Sequence, residues 1–266
     1  MSPTIKLAIS PCPNDTFIFE PMINQRIDCE GVAFDVEFHD VETLNRMALK
    51  KGADMIKVSY HAWLFLHDSY SLLESGSAMV EGNGPILISR RPYTINDIPR
   101  LTVAVPGEFT TAHLLLRVLA PNPRQKIFIV FSEIENWVLS GKADAGVIIH
   151  ENRFTYEKKG LLKIADLGEY WENLTQSPIP LGGILVKKTL GNETRQKLNR
   201  IMHRSVQFAM KNPDIPMSLV RTHAQEMEEV VMKQHIGLYV NNYTLNLGKR
   251  GKNAIKHLLK YGAGPQ

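Results

Sequence analysis

Short apolar segments alternate with longer amphipathic segments from the start of the chain. The apolar segments have the length of buried strands, and the segments between them repeat apolar residues at helical spacing. The pattern predicts strands at 6–9, Ala33–Phe38 and Met55–Ser59, and helices at 16–25 and 41–51. This alternation is typical of a mostly parallel sheet covered by helices, so it predicts an α/β fold.

A second series with the same alternation begins at Leu101. It predicts strands at 101–105, 127–131 and 145–149, and helices at Thr111–Leu119 and Ile134–Leu139. Before it, the apolar runs 77–80 and 85–89 flank a loop, and Arg90-Arg91-Pro92 predicts a linker crossing between two units. A strand at 183–186 is expected to return to the first unit, which is then covered by helices at 193–210, 217–225, 228–240 and 251–261.

The two series correspond to each other in three features. Each opens with a strand and a Pro-containing turn, at 10–16 and 106–111. Each then has a Gly and Asp segment, at 52–54 and 141–144, followed by a strand that ends in a polar residue, Ser59 or His150. Because ligands of open α/β sheets bind outside the carboxyl ends of the strands, we expect all six segments to face one cleft. The predicted lobes are residues 1–90 with 187–266, and residues 91–186.

Composition narrows the class of protein. Hydrophobic residues make up 44% of the chain and charged residues 22%, as in average globular proteins, and no run approaches the length of a membrane span. The net charge of +4 is scattered, so no nucleic-acid partner is expected. Neither a secretion signal nor a disulfide framework is indicated, and the expected location is cytoplasmic. The sequence has no phosphate loop, dinucleotide fingerprint, zinc spacing or nucleophile elbow, so no metal and no cofactor are expected.

Two turns at predicted helix starts are candidate binding segments. The N–H groups at Thr110, Thr111 and Ala112 carry partial positive charge and suit a substrate carboxylate. The alternative is that the threonines only cap their own helix. The same two interpretations apply to Asn14 and Asp15, where a carboxylate would accept hydrogen bonds from substrate hydroxyls.

Three further side chains are candidates for chemistry. His150 follows an apolar strand and is a candidate general base, although many histidines serve only structure. Cys12 lies near a helix start and is either a nucleophile or a small buried thiol. Lys57 is within a strand, where alternation directs it either to an anionic substrate or to solvent.

Several strings resemble one enzyme family, the 1,4-dihydroxy-6-naphthoate synthases of the futalosine route to menaquinone. Residues 10–19 read S-P-C-P-N-D-T-F-I-F, the opening signature of that family, and further matches are K-V-S-Y at 57–60, V-P-G with T-T-A at 105–112, I-I-H-E at 148–151 and R-F-T-Y at 153–156. The matches span most of the first 185 residues. The resemblance implies the two-lobed fold of type II periplasmic binding proteins, with the ligand between the lobes.

The resemblance also implies a reaction and a set of site residues. Cyclic dehypoxanthine futalosine would be converted to 1,4-dihydroxy-6-naphthoate without metal or nucleotide, with His150 as the proton acceptor. The substrate, a small-molecule carboxylate, would contact residues of three segments: Ser10, Asn14 and Asp15; Lys57, Val58 and Ser59; and Thr110, Thr111 and Ala112. Two alternatives are chorismate dehydratase, an enzyme of the same pathway and fold, and a solute-binding receptor without catalysis. The S-P-C-P-N-D opening favours the synthase.

Overall fold

Two mixed β-sheets organise the chain, which the computed structural model describes over residues 4–120, 122–224 and 228–262. The first sheet contains β1 (Thr4–Ile9), β2 (Ala33–Phe38), β3 (Met55–Ser59), β4 (Tyr70–Leu72), β5 (Ala78–Val80) and β11 (Ile179–Lys187). Its order is β2-β1-β3-β11-β4, with β5 also paired to β11. The second sheet contains β6 (Ile86–Ser89), β7 (Thr102–Val105), β8 (Gln125–Phe128), β9 (Ala145–Ile148) and β10 (Leu162–Asp166), in the order β10-β6-β9-β7-β8.

Helices flank both sheets. They are α1 (Pro13–Ile23), α2 (Val41–Leu49), α3 (Tyr60–Trp63), α4 (Thr111–Leu119), α5 (Ile134–Leu139), α6 (Leu167–Thr175), α7 (Gly191–Lys211), α8 (Met217–His223), α9 (Glu229–Tyr239), α10 (Asn242–Leu245) and α11 (Gly248–Gly262). Short 3₁₀ turns occupy Ile95–Arg100, Phe131–Glu133, His150–Phe154, Tyr156–Lys159 and Lys188–Leu190. The α/β class and the main helices are therefore confirmed. Gln225, where one predicted helix ends, lies outside the described residues.

The predicted mostly parallel sheet is wrong, because strands that cross between the lobes run against their neighbours. β1 pairs in parallel with β2 and β3, and β7 with β8 and β9. β11 enters the first sheet beside the carboxyl end of β3 and therefore runs antiparallel to it. β6 is antiparallel to β9 for the same reason.

The lobe boundaries of 1–90, 91–186 and 187–266 stay a prediction. Residues 90–92, predicted to cross between units, follow β6, which already belongs to the second sheet. β11 belongs to the first sheet. We therefore propose that the chain crosses at 81–85 and returns at 176–178.

The correspondence between the two series is visible in hydrogen bonds. The N–H of Asp54 donates to Lys6 O over 2.9 Å, and the Asp54 carboxylate accepts from Lys6 N at 3.1 Å. Asp144 makes the same two bonds to Thr102, at 2.9 and 2.8 Å. Asp54 therefore links the amino-terminal ends of β1 and β3, and Asp144 links those of β7 and β9 in the same way. The Gly and Asp segments therefore lie away from the carboxyl ends of the strands, and the expectation that all six segments face one cleft is wrong for these two.

Strand register also corrects the pairing of His150 with Ser59. Leu7 stands opposite Met55 in the first sheet, and Val103 stands opposite Ala145 in the second. Counting from these pairs, Ser59 corresponds to Ile149, and His150 corresponds to Tyr60. The histidine is one residue beyond the position that the sequence comparison gave it.

The C-terminal helices cover the first lobe in part, as predicted. α7, α8 and α9 pack on α1. α11 packs on α3 and β11, and its Ile255 and Leu258 share a buried cluster with Leu114 and Leu115 of α4. The last helix therefore supports the junction of the two sheets.

The backbone at Gly84 passes very close to the backbone at Gly168, at the start of α6. A Cβ added to Gly168 would lie 2.4 Å from the backbone nitrogen of Gly84. An added Cβ could be accommodated only if the segment before β6 or the first turn of α6 moved. We therefore expect Gly168→Ala to lower the free energy of unfolding by about 1–3 kcal/mol. Chemical denaturation would measure the loss. Gly237→Ala is the matched control, since nothing lies within 4 Å of its added Cβ. Equal stability of the two variants would contradict the expectation.

Candidate active site

One cavity opens where the two sheets meet. It encloses about 690 Å³ of space, including its opening to solvent. The ten residues that the family resemblance assigned to the site all line it: Ser10, Asn14, Asp15, Lys57, Val58, Ser59, Thr110, Thr111, Ala112 and His150. Cys12, the other candidate from the sequence, is a buried thiol and is not among the lining residues. The remaining lining residues are Val41, Ala78, Pro85, Ile149, Leu181, Gly182 and Tyr239, which sequence reasoning did not identify. The walls are mainly apolar, with a few convergent polar groups, as in sites for organic ligands.

A buried ion pair forms one wall of the cavity. Lys57 Nζ donates to Asp15 Oδ1 at 2.7 Å, and both side chains are almost fully buried, at 8% and 2% exposure. Asn14 Nδ2 donates to the same oxygen at 2.8 Å, while Ser10 Oγ donates to Asp15 Oδ2 at 2.7 Å. The suggestion that Lys57 faces solvent is therefore wrong. A direct contact between Lys57 and a substrate stays a prediction.

Ser59 is held by a second network that reaches across the lobes. Its N–H donates to Asn45 Oδ1 at 2.8 Å, and Asn45 Nδ2 donates to Ser59 Oγ at 3.2 Å. Glu42, on the same helix as Asn45, accepts the N–H of Phe109 at 3.1 Å. Gly107, at φ +142°, makes room for this contact, because an added Cβ would lie 2.5 Å from Glu42 Oε2. The network joins a cavity residue of the first lobe to the turn before α4.

The two threonine hydroxyls at the start of α4 are engaged within the protein. Thr110 caps the helix by accepting the N–H of His113 at 3.2 Å, and its contact with a substrate stays a prediction. Thr111 Oγ1 donates to Leu181 O at 2.8 Å and accepts the N–H of His61 at 3.3 Å. The first-turn N–H groups of a helix have no partner within the helix, and those of Thr111 and Ala112 belong to this turn. Because both residues line the cavity, their N–H groups are candidate donors to an anion there.

His150 stands opposite this wall. Its backbone is left-handed at φ +57°, an uncommon conformation for a residue other than glycine and a form of strain often found at functional sites. Its Nε2 lies 3.8 Å from Cys12 Sγ, and the edge of Phe131 packs against it at a centroid distance of 4.8 Å. Burial lowers the pKa of His150 to about 4, with the Asp15 carboxylate acting in the opposite direction. At neutral pH the imidazole is therefore uncharged and able to accept a proton.

His235 is a cavity neighbour that the sequence analysis missed. It is fully buried on α9, and its Nε2 lies 2.8 Å from Asn14 Oδ1. The signal was present in the sequence: Val231, His235 and Tyr239 are spaced four apart and form one buried helical stripe. A histidine in such a stripe is expected to be buried, but its partner Asn14 is more than 200 positions away.

Several buried histidines predict acid-sensitive stability. Burial lowers the pKa of His61 and of His150 to about 4, and it also lowers the pKa values of His113 and His235. In the unfolded chain these groups titrate near about 6.5. Below that pH the unfolded state binds more protons, so the free energy of unfolding should fall as the pH drops from about 6.5 towards 4.

Denaturant unfolding at a series of pH values would test this expectation. Stability that is constant between about pH 7 and 5 would contradict it. His67, which is exposed, offers the control: His67→Gln should leave the pH dependence unchanged, whereas His61→Gln should flatten it.

The fold and this cleft define a two-lobed α/β protein built like the periplasmic solute-binding proteins. The alkanesulfonate-binding protein SsuA of Xanthomonas axonopodis pv. citri superposes with a TM-score of 0.67 at 13% identity, covering 89% of this chain and 84% of SsuA. A crystal structure of a protein from Archaeoglobus fulgidus gives a TM-score of 0.90 at 30% identity, covering 97% of this chain and 96% of that one. No helix among the described residues has the length and apolar character to cross a membrane.

The chain belongs to the menaquinone-biosynthesis family, whose model matches residues 5–264. A 1,4-dihydroxy-6-naphthoate synthase of Streptomyces coelicolor is 42% identical over 265 residues, covering 98% of this chain and 93% of that enzyme. The enzyme of the same name from Thermus thermophilus is 39% identical over 254 residues, covering 96% of this chain and 92% of the enzyme. The family resemblance drawn from the sequence strings is thereby confirmed.

Within the described residues, no group of three or more His, Cys, Asp or Glu side chains could hold a metal ion.

Proposed function

We propose that the protein is a carbon–carbon lyase that converts cyclic dehypoxanthine futalosine to 1,4-dihydroxy-6-naphthoate. The observation that carries the proposal is convergence: residues from four distant segments that match the synthase strings all line one cavity. The near full-length relation to two synthases supports the same reaction. The family role in biosynthesis also leads us to propose a cytoplasmic location and a small-molecule carboxylate as the substrate.

The proposed mechanism assigns one task to each wall. The first-turn N–H groups of α4 bind the substrate carboxylate, because unpaired helix N–H groups attract anions. His150, uncharged at neutral pH, removes a proton from carbon. The electron pair left on that carbon is used in cleavage of a carbon–carbon bond of the sugar-derived ring, which forms the aromatic product and releases a small hydroxylated fragment. The Ser59 hydroxyl, and the Lys57 ammonium on Asp15, face the same cavity and stabilise negative charge that develops on substrate oxygens. Apolar lining residues limit water around the intermediates.

A direct assay distinguishes the proposed reaction from its nearest alternative. Purified protein would be incubated separately with cyclic dehypoxanthine futalosine and with chorismate, and the products separated by chromatography. We expect dihydroxynaphthoate from the first substrate and no turnover of the second. Turnover of chorismate alone would replace the proposal with a dehydratase, and binding without turnover of either compound would favour a solute-binding protein.

A further inference from the structure

A second histidine lies directly behind the candidate base. The rings of His235 and His150 stack with 5.9 Å between their centroids and 20° between their planes. His235 belongs to α9, which also packs against the 3₁₀ turn His150–Phe154. The C-terminal part of the chain, which carried no candidate residue in the sequence, therefore contacts the candidate base, and its Tyr239 lines the cavity.

The hydrogen bond of His235 has a defined direction. Asn14 Nδ2 donates to the Asp15 carboxylate at 2.8 Å, so its amide oxygen points to His235 and can only accept. His235 therefore donates from Nε2 over 2.8 Å. Burial and the neighbouring His150 hold the pKa of His235 well below its usual range, so the donor is the neutral ring. A chain of hydrogen bonds thus runs from His235 through Asn14 to Asp15 and Lys57.

We propose that His235 is a positioning residue for the reaction, acting through its hydrogen bond to Asn14 on the Asp15–Lys57 pair. The inference rests on the function proposed above. The Asp15 carboxylate needs fixed donors because it is buried at 2% exposure, and the Asn14 amide is one of them. Without the bond from His235, the amide could rotate and present its oxygen to the carboxylate. Two stacked imidazoles would also repel each other if both were protonated, so an uncharged His235 leaves His150 able to take the substrate proton.

Two substitutions separate positioning from packing. His235→Phe keeps a planar ring and removes the donor, whereas His235→Gln loses the ring and places a carboxamide N–H near the position of Nε2. We expect His235→Phe to lower kcat about tenfold, the factor that corresponds to one net hydrogen bond, with KM within about twofold of the wild-type value. His235→Gln should recover most of kcat. If the residue served only packing, the order would be reversed, with Phe the better replacement.

His203→Phe is the matched control. His203 is partly buried on α7, away from the cavity, and lies 3.2 Å from Leu245 O through Nδ1. This variant should keep the wild-type kcat. A wild-type kcat in His235→Phe, or a lower kcat in His235→Gln than in His235→Phe, would overturn the role of His235 while leaving the enzyme's function intact. Wild-type protein that does not turn over cyclic dehypoxanthine futalosine would overturn the proposed function, and the positioning role with it.

Discussion

Replacing His150 by Asn should lower kcat about 10²–10⁴-fold, which is the usual contribution of a general base. Asparagine is the informative replacement because it tolerates the left-handed backbone that His150 adopts at φ +57°. Alanine would add backbone strain at this position, so that a loss of turnover could come either from the missing imidazole or from the strain. Since the substitution leaves the α4 N-terminus intact, the Kd for the product dihydroxynaphthoate should change by no more than a few-fold.

The measurements are steady-state turnover, product binding by titration calorimetry and thermal unfolding. His67→Asn is the matched control, because His67 is 66% exposed and lies outside the cavity. His150→Asn with near wild-type turnover would remove this histidine from the mechanism. A large loss of product binding would instead assign it to recognition.

The pH dependence of turnover follows from the same residue. His150 must be neutral to accept a proton, and its pKa is lowered to about 4. Activity that depends on it should therefore persist well below about pH 6.5, the usual midpoint for histidine, and be lost as the pH falls further.

Replacing Lys57 by Met should lower the free energy of unfolding by about 3–5 kcal/mol, because it leaves the buried Asp15 carboxylate without its cation. Ser10 and Asn14 still donate to that carboxylate, but neither carries charge. Denaturant unfolding of the variant and the wild type would measure the loss.

A double variant and a surface pair provide the controls. Lys57→Met combined with Asp15→Asn removes both charges and should recover much of the stability. Lys187 pairs with Asp54 at 3.2 Å, but their side chains are 23% and 27% exposed, so Lys187→Met should cost only about 0–1 kcal/mol. Equal losses in Lys57→Met and Lys187→Met would show that burial of the first pair carries no special cost.

The local pattern of the sequence was sufficient for the class of fold and for most helices and strands. Apolar periodicity predicted β2, β3, α4 and α5 with their observed ends. The correspondence between the two series could also be predicted from the sequence, because Asp54 and Asp144 each precede the corresponding strand of their series. These features depend on residues close together in the chain, for which spacing alone carries the information.

Features that depend on partners from distant segments needed the tertiary structure. Short elements such as β4 and β10 have little periodicity of their own and form because long-range strand pairing satisfies their backbone groups. The local pattern also could not predict which strands pair in parallel and which in antiparallel. The end of the sheet at which a strand enters from the other lobe decides its direction.

The candidate site also combines features that the sequence predicted with features that only the tertiary structure shows. The sequence strings named ten residues that line one cavity, because strand ends and helix starts are local features. The sequence could not determine that Lys57 pairs with Asp15, that Thr111 bonds to Leu181, or that His235 stacks on His150. Charge burial, hydrogen-bond direction and ring stacking are properties of side chains that meet only after both lobes have folded around the cleft.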